Sequence, residues 1–322
     1  MVDVACNTGA ADPAFRADVL AGLAAAIPAI PSRWFYDRRG SELFEEITRL
    51  PEYYPTRVET ALLERHATDM KAAVGQGHAV VEFGSGSSAK TPILLEALKP
   101  SHYVPVDISG AFLRDAAAGL QRSFPDLPIL PVEADFTRPF PLPAAVEDTP
   151  KLGFFPGSTI GNMVPRTAVD LLRAMRDTLG EGAFLIIGMD RIKDVDVLVR
   201  AYDDAAGVTA AFNLNLLHRI NRELAGTIPV DAFRHRAIWN DASSRVEMHL
   251  EATRDVAFTV CGTDFHLTAG ETIHTENSHK YGYRDSRLLL RAAGWGVVTE
   301  WTDPQEHFAV LLAQAEPPRF AP

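Results

Sequence analysis

The sequence predicts an α/β fold in which an open, mostly parallel sheet is interrupted by a second, α+β unit. Apolar β-branched runs alternate with amphipathic helical segments between Glu59 and Met189, and this pattern returns after Tyr283. Such alternation of strands and helices is typical of a parallel sheet. The stretch between Asp190 and Tyr281 breaks the pattern, because it is first mostly helical and then rich in alternating strands.

Composition limits the classes of function. The chain has 322 residues, of which 47% are hydrophobic and 23% charged, as in ordinary globular proteins. Its net charge of −11 argues against binding to nucleic acid or to anionic membrane surfaces. No apolar run approaches the roughly 20 residues that span a bilayer, and no signal peptide is visible. We also expect a monomer.

Cysteine and histidine usage predicts neither a disulfide nor a metal site. The two cysteines, Cys6 and Cys261, lie in no CxxC motif or Cys/His cluster. We therefore expect no disulfide and a cytoplasmic location. The histidines show no paired ligand spacing, so we expect no metal.

The N-terminal part is predicted to be mostly helical. Residues 1–12 are small and polar, and we expect them to be disordered. Helices are predicted at Pro13–Ala26, at Ser41–Leu50 with Ser41 as N-cap, and at Glu59–Val74. Flanking prolines predict an irregular loop over Leu50–Arg57.

The first strand of the sheet ends in a turn suited to a nucleotide. Val80–Phe83 is followed by Gly84-Ser85-Gly86 and then by a segment, containing Lys90, that can start a helix. Such a turn lets backbone N–H groups and a helix N-terminus face a ligand. The third glycine of the dinucleotide fingerprint is missing, which argues against NAD. The shorter Glu-x-Gly-x-Gly form is used by S-adenosylmethionine (SAM) methyltransferases.

The next three strands also end in polar or glycine-rich loops. His102–Asp107 places Asp107 where doubly wound folds bind ribose hydroxyls. Leu127–Val132 leads to Asp135, which can accept from the adenine amino group, and to Phe136, which can cover the ring. Lys151–Phe155 runs into Pro156–Asn162. Any one of these could be a plain solvated loop, but four in register predict a ligand crevice.

The remaining elements complete the two predicted units. They are a helix at Thr167–Leu179, a strand at Ala183–Met189, a mostly helical stretch at Val195–Leu224, strands at Phe233–Trp239, Arg245–Ala252 and Ala257–Val260, a helix at Tyr283–Gly294, and an antiparallel pair of strands at Gly296–Thr302 and Phe308–Ala313. We predict a SAM-binding methyltransferase domain of residues 57–191 and 282–322. Residues 13–56 and 192–281 are predicted to form a second unit.

Nearly the whole chain resembles a known family. The longest motifs are Leu50-Pro51-Glu52-Tyr53-Tyr54-Pro55-Thr56-Arg57 and Gly157-Ser158-Thr159-Ile160-Gly161-Asn162, and shorter ones are Trp34-Phe35-Tyr36-Asp37, Arg200–Gly207, Glu247-Met248 and Thr275–Tyr281. With these blocks the chain resembles the ergothioneine-pathway histidine Nα-methyltransferases, the EgtD family. The resemblance implies a Rossmann-like SAM-dependent methyltransferase sheet, and it makes the second unit, residues 13–56 and 192–281, a substrate-binding domain. It also implies trimethylation of the α-amino group of free L-histidine to hercynine, with SAM as cosubstrate.

The resemblance assigns roles to single residues. Tyr53 and Asn162 resemble the pair that holds the substrate carboxylate, and Tyr36 resembles the tyrosine beside the α-amino group, which makes it the candidate catalytic residue. Glu276 and Ser278 resemble the pair that binds the imidazole, while Met248 and Tyr202 belong to the same cavity. The cosubstrate residues are Gly84, Ser85, Gly86, Lys90, Asp107, Asp135 and Phe136. His279 departs from the family pattern, but on a strand it would point away from Glu276 and Ser278.

Simpler explanations exist for most of these residues one at a time. Tyr202 and Met248 could be core residues, Glu276 a surface carboxylate, and Asn162 the cap of the helix that begins near Pro165. Only the joint pattern makes them site residues. The alternative functions are methylation of another aromatic amino acid, such as a tryptophan derivative, a SAM-binding regulatory protein without turnover, and a nicotinamide-dependent oxidoreductase.

Overall fold

The computed structural model describes residues 11–86, 90–108 and 110–317. The helices are α1 (Pro13–Leu23), α2 (Arg38–Ile47), α3 (Tyr54–Val74), α4 (Thr91–Leu98), α5 (Gly110–Ser123), α6 (Pro165–Leu179), α7 (Val195–Arg200), α8 (Val208–Glu223) and α9 (Tyr283–Ala292). The strands are β1 (Ala79–Phe83), β2 (His102–Asp107), β3 (Val132–Glu133), β4 (Lys151–Phe155), β5 (Phe184–Asp190), β6 (Phe233–Asn240), β7 (Arg245–Ala252), β8 (Val256–Val260), β9 (Thr263–Leu267), β10 (Thr272–His279), β11 (Trp295–Thr302) and β12 (Phe308–Ala315).

Contacts divide the chain into two compact units. Pro55–Ile192, with Lys280 and the residues after it, forms the first, which we call the sheet unit. Tyr54 and the residues before it, with Lys193–His279, form the second, which we call the insert unit. The insertion therefore separates β5 from α9 along the chain.

The sheet unit is built on one mostly parallel sheet. Within the described residues its strand order is β11-β12-β5-β4-β1-β2-β3. The neighbours from β5 to β3 pair in parallel, whereas β12 is antiparallel to both β5 and β11. This arrangement confirms the predicted α/β fold and the predicted antiparallel pair at its end.

Both faces of this sheet are covered, as in doubly wound folds. Alternate residues of a strand enter different cores: Val81 and Phe83 pack with Leu171 of α6 and Leu290 of α9. Val80 packs instead with apolar residues of α3 and α4. The carboxyl ends of the parallel strands are thus held at a common edge by two separate cores.

The insert unit contains small antiparallel sheets and helices. Strands β10, β7 and β6 form a three-stranded sheet in that order, and β8 pairs with β9. Helices α1, α2, α7 and α8 belong to the same unit. Strand β10 was not predicted from the sequence, because the polar segment Thr272–His279 lacks an apolar alternation.

Several predicted boundaries are wrong. Helix α2 begins at Arg38, and its N-cap is Asp37, whose side chain accepts from the Gly40 N–H at 2.7 Å, so Ser41 is not the cap. The predicted loop over Leu50–Arg57 ends early, because α3 begins at Tyr54. Pro55 falls in the first turn, where its missing N–H would have no helical partner anyway.

Two longer predictions are also corrected. The helical stretch Val195–Leu224 is two helices, since the chain turns through a left-handed Gly207 (φ 73°) and Asp204 accepts from the N–H groups of Val208 and Thr209. The third strand is reduced to Val132–Glu133, and before it only Ile129 forms an isolated bridge to β2.

The terminal and cysteine predictions have mixed outcomes. Most of the segment predicted to be disordered, residues 1–12, lies outside the described residues, whereas Asp12 caps α1 by accepting from the Ala14 N–H at 2.8 Å. The expectation of no disulfide depends on Cys6, which lies outside the described residues.

Candidate active site

The turn after β1 is fixed against the end of β2. The N–H groups of Gly84 and Ser85 both donate to the Val106 carbonyl, at 2.8 and 3.2 Å. Gly84 and Gly86 have φ values of 71° and 38°, in the left-handed region that favours glycine. The sequence folds this way because any other residue type here would be strained.

Asp107 and Phe136 lie beside this turn, as predicted. The Gly86 N–H points at the Asp107 carboxylate, with 3.4 Å between nitrogen and oxygen. A Cβ added to Gly84 would meet the Phe136 ring at 3.5 Å. Asp135 is exposed and accepts from the Thr137 N–H at 3.0 Å, which fixes the start of the loop that carries Phe136. The structure therefore brings the glycine turn, the β2 carboxylate and an aromatic ring together.

Lys90 has a partner that the sequence did not reveal. Its ammonium pairs with the carboxylate of Glu59, a residue of α3 that is only 1% exposed. The same carboxylate accepts from the Gly157 N–H, at 3.0 and 2.9 Å to its two oxygens. A Cβ on Gly188 would come within 2.1 Å of it, so this glycine makes room for the pair. Glu59 and Lys90 together hold the start of the loop that leads to Asn162.

Glu82, the acidic residue of β1, is buried next to this turn. Its Oε2 accepts from the Thr91 and Tyr103 hydroxyls, both at 2.6 Å. Burial raises the pKa of the Glu82 carboxyl to about 7, although these hydrogen bonds and the charge of Lys90 oppose the shift.

This shift predicts a pH dependence of stability. The Glu82 carboxyl ordinarily has a pKa of 4.5, and in the folded chain about 7, so between these values the folded state binds more protons and stability falls as pH rises. Glu82→Gln removes the titration but keeps an acceptor for Thr91 and Tyr103. We expect the difference in melting temperature, variant minus wild type, to be larger at about pH 8 than at about pH 5. An equal difference at both pH values would contradict the assignment.

In the insert unit, aromatic rings gather around Tyr36. The Tyr36 ring meets Phe44 of α2 and Phe212 of α8 with centroids 5.6 and 5.8 Å apart. Phe44 in turn meets Tyr53 at 6.3 Å, and Tyr53 meets Tyr202 at 6.1 Å. Sequence reasoning missed Phe44 and Phe212, because an aromatic residue on an amphipathic helix gives no signal that separates a site wall from a core.

The Tyr36 hydroxyl has an unusual electrostatic environment. Burial raises the pKa of the hydroxyl well above its ordinary value, although 44% of the residue surface is exposed. The charges of Glu276, Tyr53 and Tyr202 raise this pKa further. Tyr36 is therefore a neutral phenol at physiological pH and lies within electrostatic reach of three predicted site residues.

Glu276 and Ser278 lie on one face of β10. Ser278 is 4% exposed and shares a 2.6 Å hydrogen bond with the Tyr202 hydroxyl. Glu276 pairs in register with Met248 of β7, which is 2% exposed. His279 follows on the opposite face, and its Nδ1 lies 3.1 Å from the Ser243 carbonyl oxygen. The structure thus groups Tyr36, Tyr53, Tyr202, Met248, Glu276 and Ser278 within the insert unit.

Asn162 belongs to the sheet unit, in a 3₁₀ turn over Thr159–Asn162. The N-cap of α6 is Val164, which makes no side-chain cap bond, so the capping explanation for Asn162 is wrong. Its side chain is half-buried, and its role in binding the substrate carboxylate stays a prediction.

A polar cluster occupies the other face of the small sheet. Among the described residues, Glu247, His249 and His274 form a group whose potential ligand atoms lie within 4.8 Å of one another. Burial opposes ionisation of Glu247, but hydrogen bonds from Arg245, Asn240 and His249 outweigh it and lower the carboxyl pKa to about 2. The carboxylate is thus engaged in an ion-pair network. The sequence did not reveal this cluster, because His274 joins it through strand pairing.

The family model described as "Histidine-specific methyltransferase, SAM-dependent" matches residues 15–315. The chain belongs to this family. It is 42% identical over 306 residues to the histidine N-alpha-methyltransferase of Mycolicibacterium smegmatis, covering 93% of this chain and 94% of that protein. The enzyme of the same name from Mycobacterium tuberculosis is 40% identical with the same coverage. Ergothioneine biosynthesis protein 1 of Neurospora crassa is 30% identical over 89% of this chain and 33% of its own length.

The family confirms the resemblance seen in the sequence. This chain is therefore a SAM-dependent methyltransferase of the histidine-specific type. In the described part of the chain, no helix combines the length and the apolar character needed to cross a membrane.

Proposed function

We propose that this chain transfers three methyl groups, one after another, from SAM to the α-amino group of free L-histidine, giving the betaine hercynine. The observation that carries the proposal is the grouping of Tyr36, Glu276 and the Tyr202–Ser278 pair in one unit. A phenol suits an amine, whereas a carboxylate with a nearby hydroxyl suits an imidazole, which offers one ring N–H and one acceptor nitrogen. An indole has no such acceptor, which disfavours a tryptophan derivative.

The residues of the sheet unit fit SAM. Among the described residues, a Cβ added to Gly86 would come nearest to the Gly84 carbonyl oxygen, at 3.8 Å. We propose that Gly84, Ser85 and Gly86 bind the methionine part, that Asp107 binds the ribose hydroxyls, and that Asp135 and Phe136 bind adenine. Lys90 contributes through its pair with Glu59. SAM supplies an electrophilic methyl group.

Most residues proposed to bind and orient the amino acid belong to the insert unit. Glu276 accepts the imidazole N–H, Ser278 completes recognition of the ring, and Met248 packs beside it. Tyr53 and Asn162 are proposed for the carboxylate. These neutral partners give direction without adding a cation beside a sulfonium.

Tyr36 orients the amine as a neutral hydrogen-bond partner. Since its pKa is raised well above the ordinary value, a phenolate base is disfavoured. A neutral hydroxyl can both donate and accept, so it can follow the nitrogen through successive methylations. The proton released by the ammonium group then passes to water.

One experiment tests the function against its nearest alternative. The protein is incubated with SAM and an equimolar mixture of the twenty amino acids, and products are analysed by mass spectrometry. The proposal expects trimethylated histidine as the dominant product. Methylation of tryptophan in preference to histidine would contradict it. The monomeric state and the cytoplasmic location stay predictions from the sequence.

The cosubstrate assignment gives a separate prediction. Asp107→Ala should weaken binding of S-adenosylhomocysteine (SAH) by about 1–3 kcal/mol, because a carboxylate partner of two hydroxyls is lost. Calorimetry measures the change. Asp126→Ala removes an equal charge from an exposed position of the same unit and serves as control. An SAH affinity that is equal in the two variants would show that Asp107 does not hold the ribose.

A further inference from the structure

A buried asparagine of α8 connects the elements that carry the imidazole-binding residues. Asn213 is 0% exposed. Its Nδ2 donates to His235 Nδ1 at 2.8 Å and to the His249 carbonyl at 3.1 Å, while its Oδ1 accepts from the Thr275 hydroxyl at 2.8 Å. One amide thus joins α8 to β6, β7 and β10.

In this series of hydrogen bonds, from Tyr202 through His235 and Asn213 to Thr275, each donor faces an acceptor. His235 Nε2 lies 2.8 Å from the Tyr202 carbonyl oxygen, which can only accept, so this nitrogen carries the proton. Burial lowers the pKa of His235, which leaves Nδ1 unprotonated and able to accept from Asn213. The amide oxygen must then face Thr275, whose hydroxyl also lies 3.0 Å from the Met248 carbonyl. The series of hydrogen bonds therefore connects the backbone of Tyr202 to the side chain of Thr275.

Thr275 is the extra residue of a β-bulge. His274 pairs with His249, but the next pair in register is Glu276 with Met248, and Thr275 has no partner across the strand. Without the bulge, Glu276 would pair with Glu247 and lie on the opposite face, because a shift of one residue turns every side chain over. The bulge is thus what places Glu276 and Ser278 on the face of Met248.

We propose that Asn213 is a positioning residue for imidazole recognition. It holds the bulge through Thr275 and the Tyr202 backbone through His235, and so sets Glu276, Ser278 and Tyr202 in the arrangement that binds the ring. This inference rests on the proposed function, since it assumes that these three side chains bind histidine.

The test compares Asn213→Leu with a control on the same helix. Leucine has a similar size but no hydrogen-bonding group. We expect KM for histidine to rise roughly 10- to 100-fold and the preference for histidine over tryptophan to fall, with SAH affinity unchanged. The control is Asn221→Leu, because Asn221 also bridges backbone groups, the N–H and carbonyl of Ile228, but none that leads to the imidazole-binding residues. It should lower the melting temperature and leave KM in place.

A second pair of variants decides the matter if Asn213→Leu does not fold. Thr275→Val keeps the shape and removes the hydroxyl, whereas Thr275→Ser keeps the hydroxyl. We expect KM for histidine to rise in Thr275→Val and to stay closer to the wild-type value in Thr275→Ser.

An unchanged KM in a folded Asn213→Leu protein, or equal KM values for the two Thr275 variants, would overturn the inference. In either case a wild type that methylates histidine would leave the proposed function standing. A wild type that does not methylate histidine would overturn both.

Discussion

Replacing Glu276 with alanine should lower kcat/KM for histidine by roughly 30- to 1000-fold, the largest effect that we expect. The substitution removes the acceptor of the imidazole N–H and leaves a polar ring without a partner in a partly buried site. It also removes the penalty against apolar rings and opens space. Phenylalanine and tryptophan should therefore gain relative to histidine, even if their absolute rates stay low.

Two comparisons separate this role from a general loss of folding. Glu276→Gln keeps an oxygen that can accept and should lose less activity than the alanine variant. SAH affinity should stay near the wild-type value in both, because Glu276 belongs to the insert unit and the glycine turn to the sheet unit. If the ratio of kcat/KM for histidine and tryptophan does not move, Glu276 is not the specificity residue.

Tyr36→Phe should reduce turnover more than it reduces histidine affinity. The ring contacts with Phe44 and Phe212 can persist, but the hydroxyl that orients the amine is lost. We expect kcat to fall on the order of 10- to 1000-fold and mono- and dimethylated histidine to accumulate, because the bulkier, partly methylated amines have fewer N–H groups to orient them.

Product analysis by mass spectrometry over time measures this effect. Tyr283→Phe is the matched control, since Tyr283 is 66% exposed and lies in the sheet unit. Trimethylated product formed by Tyr36→Phe at the wild-type rate would contradict the role of the hydroxyl.

The sheet was predictable from local patterns. Strand β2 has the predicted bounds because an apolar run between turn residues is typical of a buried parallel strand. Its last residue, Asp107, lies beside the glycine turn because parallel strands present their carboxyl ends at one edge. The sequence therefore predicts that Asp107 and the glycine turn lie close together, since each directly follows or ends a parallel strand.

Features that depend on distant partners were not predictable. The bulge at Thr275 is invisible in a single polar segment, because it depends on pairing with β7 and on the amide of Asn213. The Glu59–Lys90 pair joins two residues that are far apart in the sequence, and each alone looks like a surface charge. The break between α7 and α8 depends on Asp204, which accepts hydrogen bonds from the first turn of α8. The helical periodicity of the sequence is compatible with Asp204 inside a continuous helix, so it does not predict the break.

The position of methylation on the product tests the central claim most directly. Histidine is incubated with SAM and the protein, and the product is analysed by mass spectrometry together with NMR of its N-methyl groups. The account predicts a single product with three equivalent methyl groups on the α-nitrogen and an unmodified imidazole. A methyl group on the imidazole ring, or histidine recovered unchanged while SAM is bound, would contradict it.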